Sequence, residues 1–401
     1  MQLPPPSAFA KHWDLDPAIV FLNHGSFGAC PRVVLQAQHE LRARLEAEPV
    51  LFLGRELERR LDGARAGLAS FVGCDADDLA FVNNATTGVN TVLRSLAFAP
   101  GDELLTTDHE YNACRNVLDF VAGRAGARVV TATVPFPVAS PQQVVDAVLA
   151  RVTKQTKLCL LDHVTSPTGL VLPVGPIVAA LRERGIDTLI DGAHAPGMVP
   201  LALGELGVAY YTGNCHKWLC TPKGSALLYV RRDRQAGIRP LAISHGANSN
   251  RTDRSRFRLE FDFTGTDDPT PFLCVPEALR CLGALLPGGI PALQAHNHDL
   301  ALRGRELLCR TLRNEPPAPP AMLGSLASVI LPDSAAPVTA AGLDPLQVRL
   351  FERHAIEVPV MRWPHPQVRL LRISPQIYNS MAQYEYLAQA LAAELHADRA
   401  T

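Results

Sequence analysis

The chain has 401 residues, 47% apolar and 19% charged, with a net charge of -1. A near-neutral chain lacks the long-range pull on nucleic acid or an anionic membrane, and no apolar run reaches the roughly 18 residues of a membrane span. At about 150 residues per domain, the length predicts two or three domains, or one large and one small.

The first residues, Met1-Gln2-Leu3-Pro4-Pro5-Pro6, lack the basic-then-apolar order of a secretory signal. The nine cysteines are scattered and form no CxxC pair. That predicts reduced thiols in a cytoplasm, with neither a disulfide framework nor a metal site.

Residues 1–16 read as an irregular Pro-rich arm. A short apolar strand, residues 19–22, then meets the polar turn Asn23-His24-Gly25-Ser26-Phe27-Gly28, which lacks dinucleotide spacing. Helices are predicted over 31–48 and 55–71. Residues 79–82 form a buried strand, followed by Asn83-Asn84-Ala85-Thr86-Thr87-Gly88 and a helix. Strand, small polar residues and helix N-terminus make a natural phosphate cradle; the same pattern is also that of an ordinary Thr N-cap.

From there β and α patterns alternate. Strands are predicted at 103–107, 128–133, 157–161 and 187–190, with helices at 141–152, capped by Ser140, and at 177–184. This alternation predicts a mainly parallel, doubly wound sheet with ligands beyond its carboxyl ends. The polar clusters at His109, Ser166, Asp191 and Lys217 mostly follow strand ends. Lys217 sits in a short bend between an apolar segment and a strand-like run at 225–230. Partial desolvation there would lower its pKa toward the neutral amine that a Schiff base requires; a loop lysine beside a buried Trp is the plain alternative.

Residues 231–260 are basic and irregular, and Thr264-Gly265-Thr266 is a second small polar turn. A helix over 276–286 ends at Pro287-Gly288-Gly289. The predicted division is therefore an arm at 1–16, a large domain at 17–288 and a small α+β domain at 289–401. The small domain holds helices at 292–313, at 345–354 with Asp344 as cap, and at the C-terminus, plus strands at 326–331 and 368–373. No internal repeat is visible.

Taken together, the pieces resemble the class V aminotransferases of the fold-type I pyridoxal-phosphate (PLP) enzymes, and within them the isopenicillin N epimerase-like branch. They run in family order over nearly the whole chain: Asn23-His24-Gly25-Ser26, Asn84-Ala85-Thr86-Thr87-Gly88, Asp108-His109-Glu110-Tyr111-Asn112-Ala113, Asp162-His163-Val164-Thr165-Ser166, Asp191-Gly192-Ala193-His194, Asn214-Cys215-His216-Lys217-Trp218, Thr264-Gly265-Thr266 and Leu371-Arg372-Ile373-Ser374.

The resemblance implies PLP as cofactor and a role for each matching residue. Lys217 would carry the cofactor and act as base at the substrate Cα. Asp191 would keep the pyridine nitrogen protonated. His194 would donate to the phenolic oxygen, and His109 would stack on the ring. Asn84, Ala85 through its backbone, Thr86, Asn214 and His216 are the phosphate candidates, with Ser166 a further cofactor contact. Thr266 would reach the neighbouring subunit's phosphate, which implies a homodimer with shared sites. Arg372 would clamp the substrate carboxylate, beside Asn23 and His24, with Tyr111 as a possible second acid/base. Cysteine desulfurases of this family need a mobile cysteine before that arginine, and this chain has none between His354 and Ser374. Epimerisation or β-elimination, as in sulfoxide lyases of ergothioneine-type pathways, is therefore expected, with an aminotransferase as the alternative. A binding protein that merely keeps the fold would be expected to lose Lys217 or Asp191, and both are present.

Overall fold

The computed structural model describes residues 3–400, with side chains through residue 397. The first strand, β1 (Val20–Phe21), stands apart from the main sheet. The next seven build it: β2 (Leu79–Val82), β3 (Glu103–Thr107), β4 (Arg128–Ala132), β5 (Thr156–Asp162), β6 (Asp187–Asp191), β7 (Tyr210–Asn214) and β8 (Ala226–Val230). Their order is β2-β8-β7-β6-β5-β3-β4. The pairs are parallel from β7 through β4, and β8 runs antiparallel to both β7 and β2. Runs such as Leu158-Cys159-Leu160-Leu161 lack alternation because helices cover both faces of the sheet. Two apolar cores result, one on each side.

The remaining strands are β9 (Ala327–Leu331), β10 (Ile356–Glu357), β11 (Val360–Arg362) and β12 (Arg369–Ile373). An antiparallel sheet β11-β12-β9 packs on the long helix Gly289–Leu312, and that helix packs on Met381–Ala400. Asp344 caps Pro345–His354, accepting from the Leu346 amide at 2.9 Å as expected. Strand β1 pairs in parallel with β10, and Asn23 bridges Ser374. The residues that open the expected large domain are thus tied to the C-terminal part of the chain.

Several local features differ from expectation, among them a helix at Arg256–Phe261 in a stretch read as irregular. Tyr210–Asn214, read as part of a polar bend, is a central strand; its Tyr-Tyr-Thr-Gly-Asn composition hides a segment buried along its whole length. Asn112–Ala125 is a helix that was not anticipated, although Cys114, Val117, Leu118 and Val121 repeat at helical spacing on its buried face. Ser140 precedes the helix Pro141–Leu149 but makes no side-chain cap bond. Among the described residues, no helix is long and apolar enough to cross a membrane.

Candidate active site

Strand register brings the site together. Asp162 and Asp191 end neighbouring parallel strands and are direct partners, and Asp191 pairs onward with Thr212. Beyond these carboxyl ends lies a cavity of about 480 Å³. Asn84, Ala85, Thr86, Ser166, Asp191 and His194 line it, and so do Asn214, His216, Lys217 and Tyr111. The turn of residues 24–28 seats directly on the lysine turn. Gly28 has φ 71°, and a Cβ there would lie 2.1 Å from the His216 carbonyl oxygen, so only glycine permits the approach.

Lys217 is partly buried, and it lines the cavity. Burial lowers its pKa to about 8, the Arg372 cation adds to this, and the Asp191 and Asp162 carboxylates oppose it. Its Nζ lies 3.2 Å from His194 Nε2. Asp191 accepts from Cys114 Sγ at 3.0 Å and from the Ala193 amide at 2.9 Å. Burial nonetheless raises its pKa, so a cationic partner in the cavity would be strongly held.

Two further carboxyls lie close to Asp191, and of these Asp162 lines the cavity. Asp162 has a buried Oδ2 without a partner, and burial, Glu110 and Asp191 raise it well above the carboxylate range. Glu110 accepts from Thr106 Oγ1 at 3.0 Å, its Oε1 is unpaired, and burial with Asp191 pushes it up to about 8. Neither was anticipated as a site residue. The signal for Asp162 was its place at the end of a wholly apolar strand, level with Asp191.

The phosphate candidates gather at the start of the helix Ala85–Ser95. Asn84 caps it, accepting from the Thr87 amide at 2.8 Å. Asn214 Oδ1 accepts from the Ala85 amide at 2.8 Å. His216 donates through Nδ1 to the Ser225 carbonyl at 2.9 Å, which leaves Nε2 for the cavity. Lys223 and Gly224 complete this side and were not anticipated.

Arg372 is 3% exposed. It donates to the Ser166 carbonyl, and at 3.3 Å to both Ser166 Oγ and Ser26 Oγ, while its Nε has no partner. A buried guanidinium short of one acceptor is suited to a carboxylate ligand.

Five of the expected residues do not line the cavity: His109, His24, Asn23, Thr266, and Arg372, which lies behind the cavity-lining Ser26 and Ser166. His109 is fully buried, bonded to Thr168 Oγ1 at 2.9 Å and the Val134 carbonyl at 3.1 Å, with its ring 4.3 Å from that of Trp363. Its faces and nitrogens are committed, and the flat side chain of this segment that does line the cavity is Tyr111. His24 bonds the Lys217 carbonyl at 3.0 Å and Tyr378 Oη at 2.8 Å, and so supports the lysine from behind. Asn23 bonds Glu357 and Ser26. The helical turn His24–Phe27 presents Ser26 and Phe27 to the cavity instead. Thr266 is exposed and does not line this chain's own cavity.

An amine with a lowered pKa, a carboxylate and an anion cradle in one cavity, with an orphaned guanidinium behind Ser26 and Ser166, define the cofactor site of a fold-type I PLP enzyme, and the donor set fits that cofactor. The aminotransferase class-V family model matches residues 19–387, so the chain belongs to that family, whose members are PLP-dependent. It is 37% identical to an isopenicillin N epimerase of Amycolatopsis lactamdurans, over 94% of this chain and 95% of the relative. It is 29% identical to a probable chloroplastic L-cysteine desulfhydrase of Arabidopsis thaliana, over 96% of this chain and 84% of the relative. The fold matches the cystine C–S lyase C-DES, solved with its product cysteine persulfide, at TM-score 0.76 and 23% identity, over 93% of this chain and 97% of that one.

Proposed function

We propose that the chain acts at the α-carbon of an amino-acid substrate, by epimerisation or by β-elimination with C–S cleavage. The carrying observation is a neutral-leaning Lys217 in one cavity with Asp191, with Arg372 bonded to the cavity-lining Ser26 and Ser166. The epimerase and desulfhydrase names of its relatives support both outcomes.

Bound PLP supplies an aldehyde for Lys217 and a ring that accepts the electron pair left at Cα. Arg372 holds the substrate carboxylate, with Ser26 and Ser166 fixing the plane of its guanidinium. Lys217 Nζ takes the Cα proton; its lowered pKa keeps a useful fraction neutral near pH 7. Asp191 holds the ring nitrogen's proton, and Cys114 and the Ala193 amide fix its orientation. Tyr111 offers a half-exposed phenol at the cavity for return of the proton or protonation of a leaving group. No cysteine lies between His354 and Ser374 to receive sulfur. Trp363, in the turn after β11, is pinned by donating to the Asp108 carbonyl at 3.2 Å. Persulfide transfer of the desulfurase kind is therefore not proposed.

We further propose a cytoplasmic homodimer. All nine cysteines are free, and Thr266 is exposed where a second subunit's cofactor could meet it. The deciding experiment offers the holoenzyme amino acids, S-substituted cysteines and their sulfoxides in deuterated water. Pyruvate, keto acid and inverted product are followed together. Deuterium at Cα with inversion marks an epimerase, and pyruvate marks a lyase. Keto acid with acceptor-dependent turnover marks an aminotransferase. Absence of Cα exchange with every substrate rejects the reading.

A further inference from the structure

The residue after the lysine has no part in the reading above. Trp218 is 1% exposed, and its indole Nε1 points at His194 Nδ1, 3.4 Å away. An indole N–H is a donor only. His194 Nδ1 must therefore accept, and in neutral His194 the proton sits on Nε2. That nitrogen is the one 3.2 Å from Lys217 Nζ.

We propose that Trp218 is a positioning residue that locks His194 in its Nε2–H tautomer, so that His194 offers no acceptor to an ammonium at Lys217 and favours the neutral amine. An ammonium at Lys217 would need a lone pair on Nε2, which places the proton on Nδ1, against the indole N–H. The two donors compete for one imidazole, and the fixed, buried indole holds its end. The lock is itself braced. The Trp218 ring lies 4.9 Å from that of His24, which is tied to the Lys217 carbonyl and to Tyr378. Gly197, at φ 89°, fits against the Trp218 backbone where a Cβ would come within 2.6 Å. Protonation of His194 is not an escape, because burial first, then Lys217, Arg372, His24 and His216, hold it well below its ordinary range.

The inference rests on Lys217 being the cofactor-bearing amine, but its first test uses no cofactor. Nitrogen-15 spectra of histidine-labelled apo-protein, assigned with His194→Gln, should show His194 with a proton on Nε2 and a bare Nδ1. A proton on Nδ1 in the wild type overturns the proposal outright, whatever the enzyme catalyses. In Trp218→Phe, which keeps the ring but not the donor, the tautomers should mix. The pH midpoint of PLP capture by the apo-protein should also rise by about one unit. The other groups acting on Lys217 (Arg372, Asp191, Asp162 and Cys114) are unchanged in this variant, so the shift isolates the indole N–H. An unmoved midpoint with an unmoved tautomer also overturns it. If Trp218→Phe does not fold, the wild-type spectrum still decides.

Discussion

Two regions of this molecule bury many charges, and they do so in opposite ways. On the helix Leu57–Val72, Asp62 accepts from Arg65 at 3.0 Å and from Arg254 at 2.9 and 2.8 Å, and also pairs with Arg258. Burial would raise Asp62, but the bonds from Arg254 and Arg258 outweigh it and bring the pKa down to about 2. At the cavity the balance is reversed. Asp162, Asp191 and Glu110 crowd together, two of them carry orphaned oxygens, and all three are raised. The first region supplies its own counter-charges. The second leaves them to be supplied by a cationic ring, an amine and a carboxylate, so its instability as an apo-site is its affinity for ligands.

The largest test of this contrast is Lys217→Met. Activity should fall by at least about 10³-fold, and the visible band of lysine-bound cofactor should disappear. The apo-protein, however, should become more stable. The folded amine titrates near 8 and the unfolded one near 10.4, so below pH 8 both are charged and the full burial penalty of about 3 kcal/mol applies. The wild type should recover this penalty as pH rises from 8 toward 10.4, and the variant should show no such slope. Denaturant melts of the apo-forms at pH 7 and pH 10 measure it. A less stable variant would break the comparison.

The converse is Asp262→Ala in the ion-paired region. It strips a counter-charge from Arg65, which is 1% exposed. Loss of about 1.5–3 kcal/mol is expected, because the buried Arg65 is left with Asp62 as its counter-charge. Urea midpoints test this, and a change under 1 kcal/mol would show that the network is replaceable. Between the two in character is Arg372→Ala. Stability should hold, since the guanidinium already lacks one partner, and KM for carboxylate substrates should rise about 10²-fold. An unchanged KM rejects the clamp.

Much of this contrast was legible in the chain itself. Asp191, Lys217, His194 and Ser166 follow or flank buried strands, and a parallel sheet gathers such positions at one edge. The errors lie where a turn of one or two residues decides which side chain faces in. His109 and Tyr111 share one short segment, and the helix start at Asn112 turns the phenol rather than the imidazole toward the cavity. The helical turn His24–Phe27 likewise exchanges Asn23 and His24 for Ser26 and Phe27. Glu110 and Asp162 were passed over because a carboxylate beside a polar turn reads as solvated. Only the register of β5 on β6 shows that Asp162 is buried beside Asp191.

Glu110→Gln probes that crowding at smaller cost. The folded carboxyl keeps its proton up to about pH 8, whereas the unfolded one releases it near 4.5. The folded state thus binds more protons between these values, and stability falls as pH rises across them. The glutamine should remove that slope, adding about 1–3 kcal/mol to the apo-protein at pH 8 and nothing at pH 4. Equal melts at pH 8 would mean that Asp191 tolerates its neighbour ionised.

Thr266 sits beside the first region and apart from the cavity. Its loop leaves the chain just after Asp262, which the arginine network fixes, and ends at Asp268, paired with Arg42 at 2.7 Å. Between these anchors Thr266 is exposed and touches nothing in its own cavity. An ion-paired base carrying a hydroxyl outside its own cavity is what the proposed shared dimer site would use. Thr266→Ala should therefore leave the urea midpoint unchanged, within about 0.5 kcal/mol. It should weaken PLP affinity about tenfold, the loss of one hydrogen bond to a charged group. Equilibrium dialysis of the protein with PLP measures the affinity. An unchanged value would make the loop a surface feature, and the arginine network would then serve stability alone.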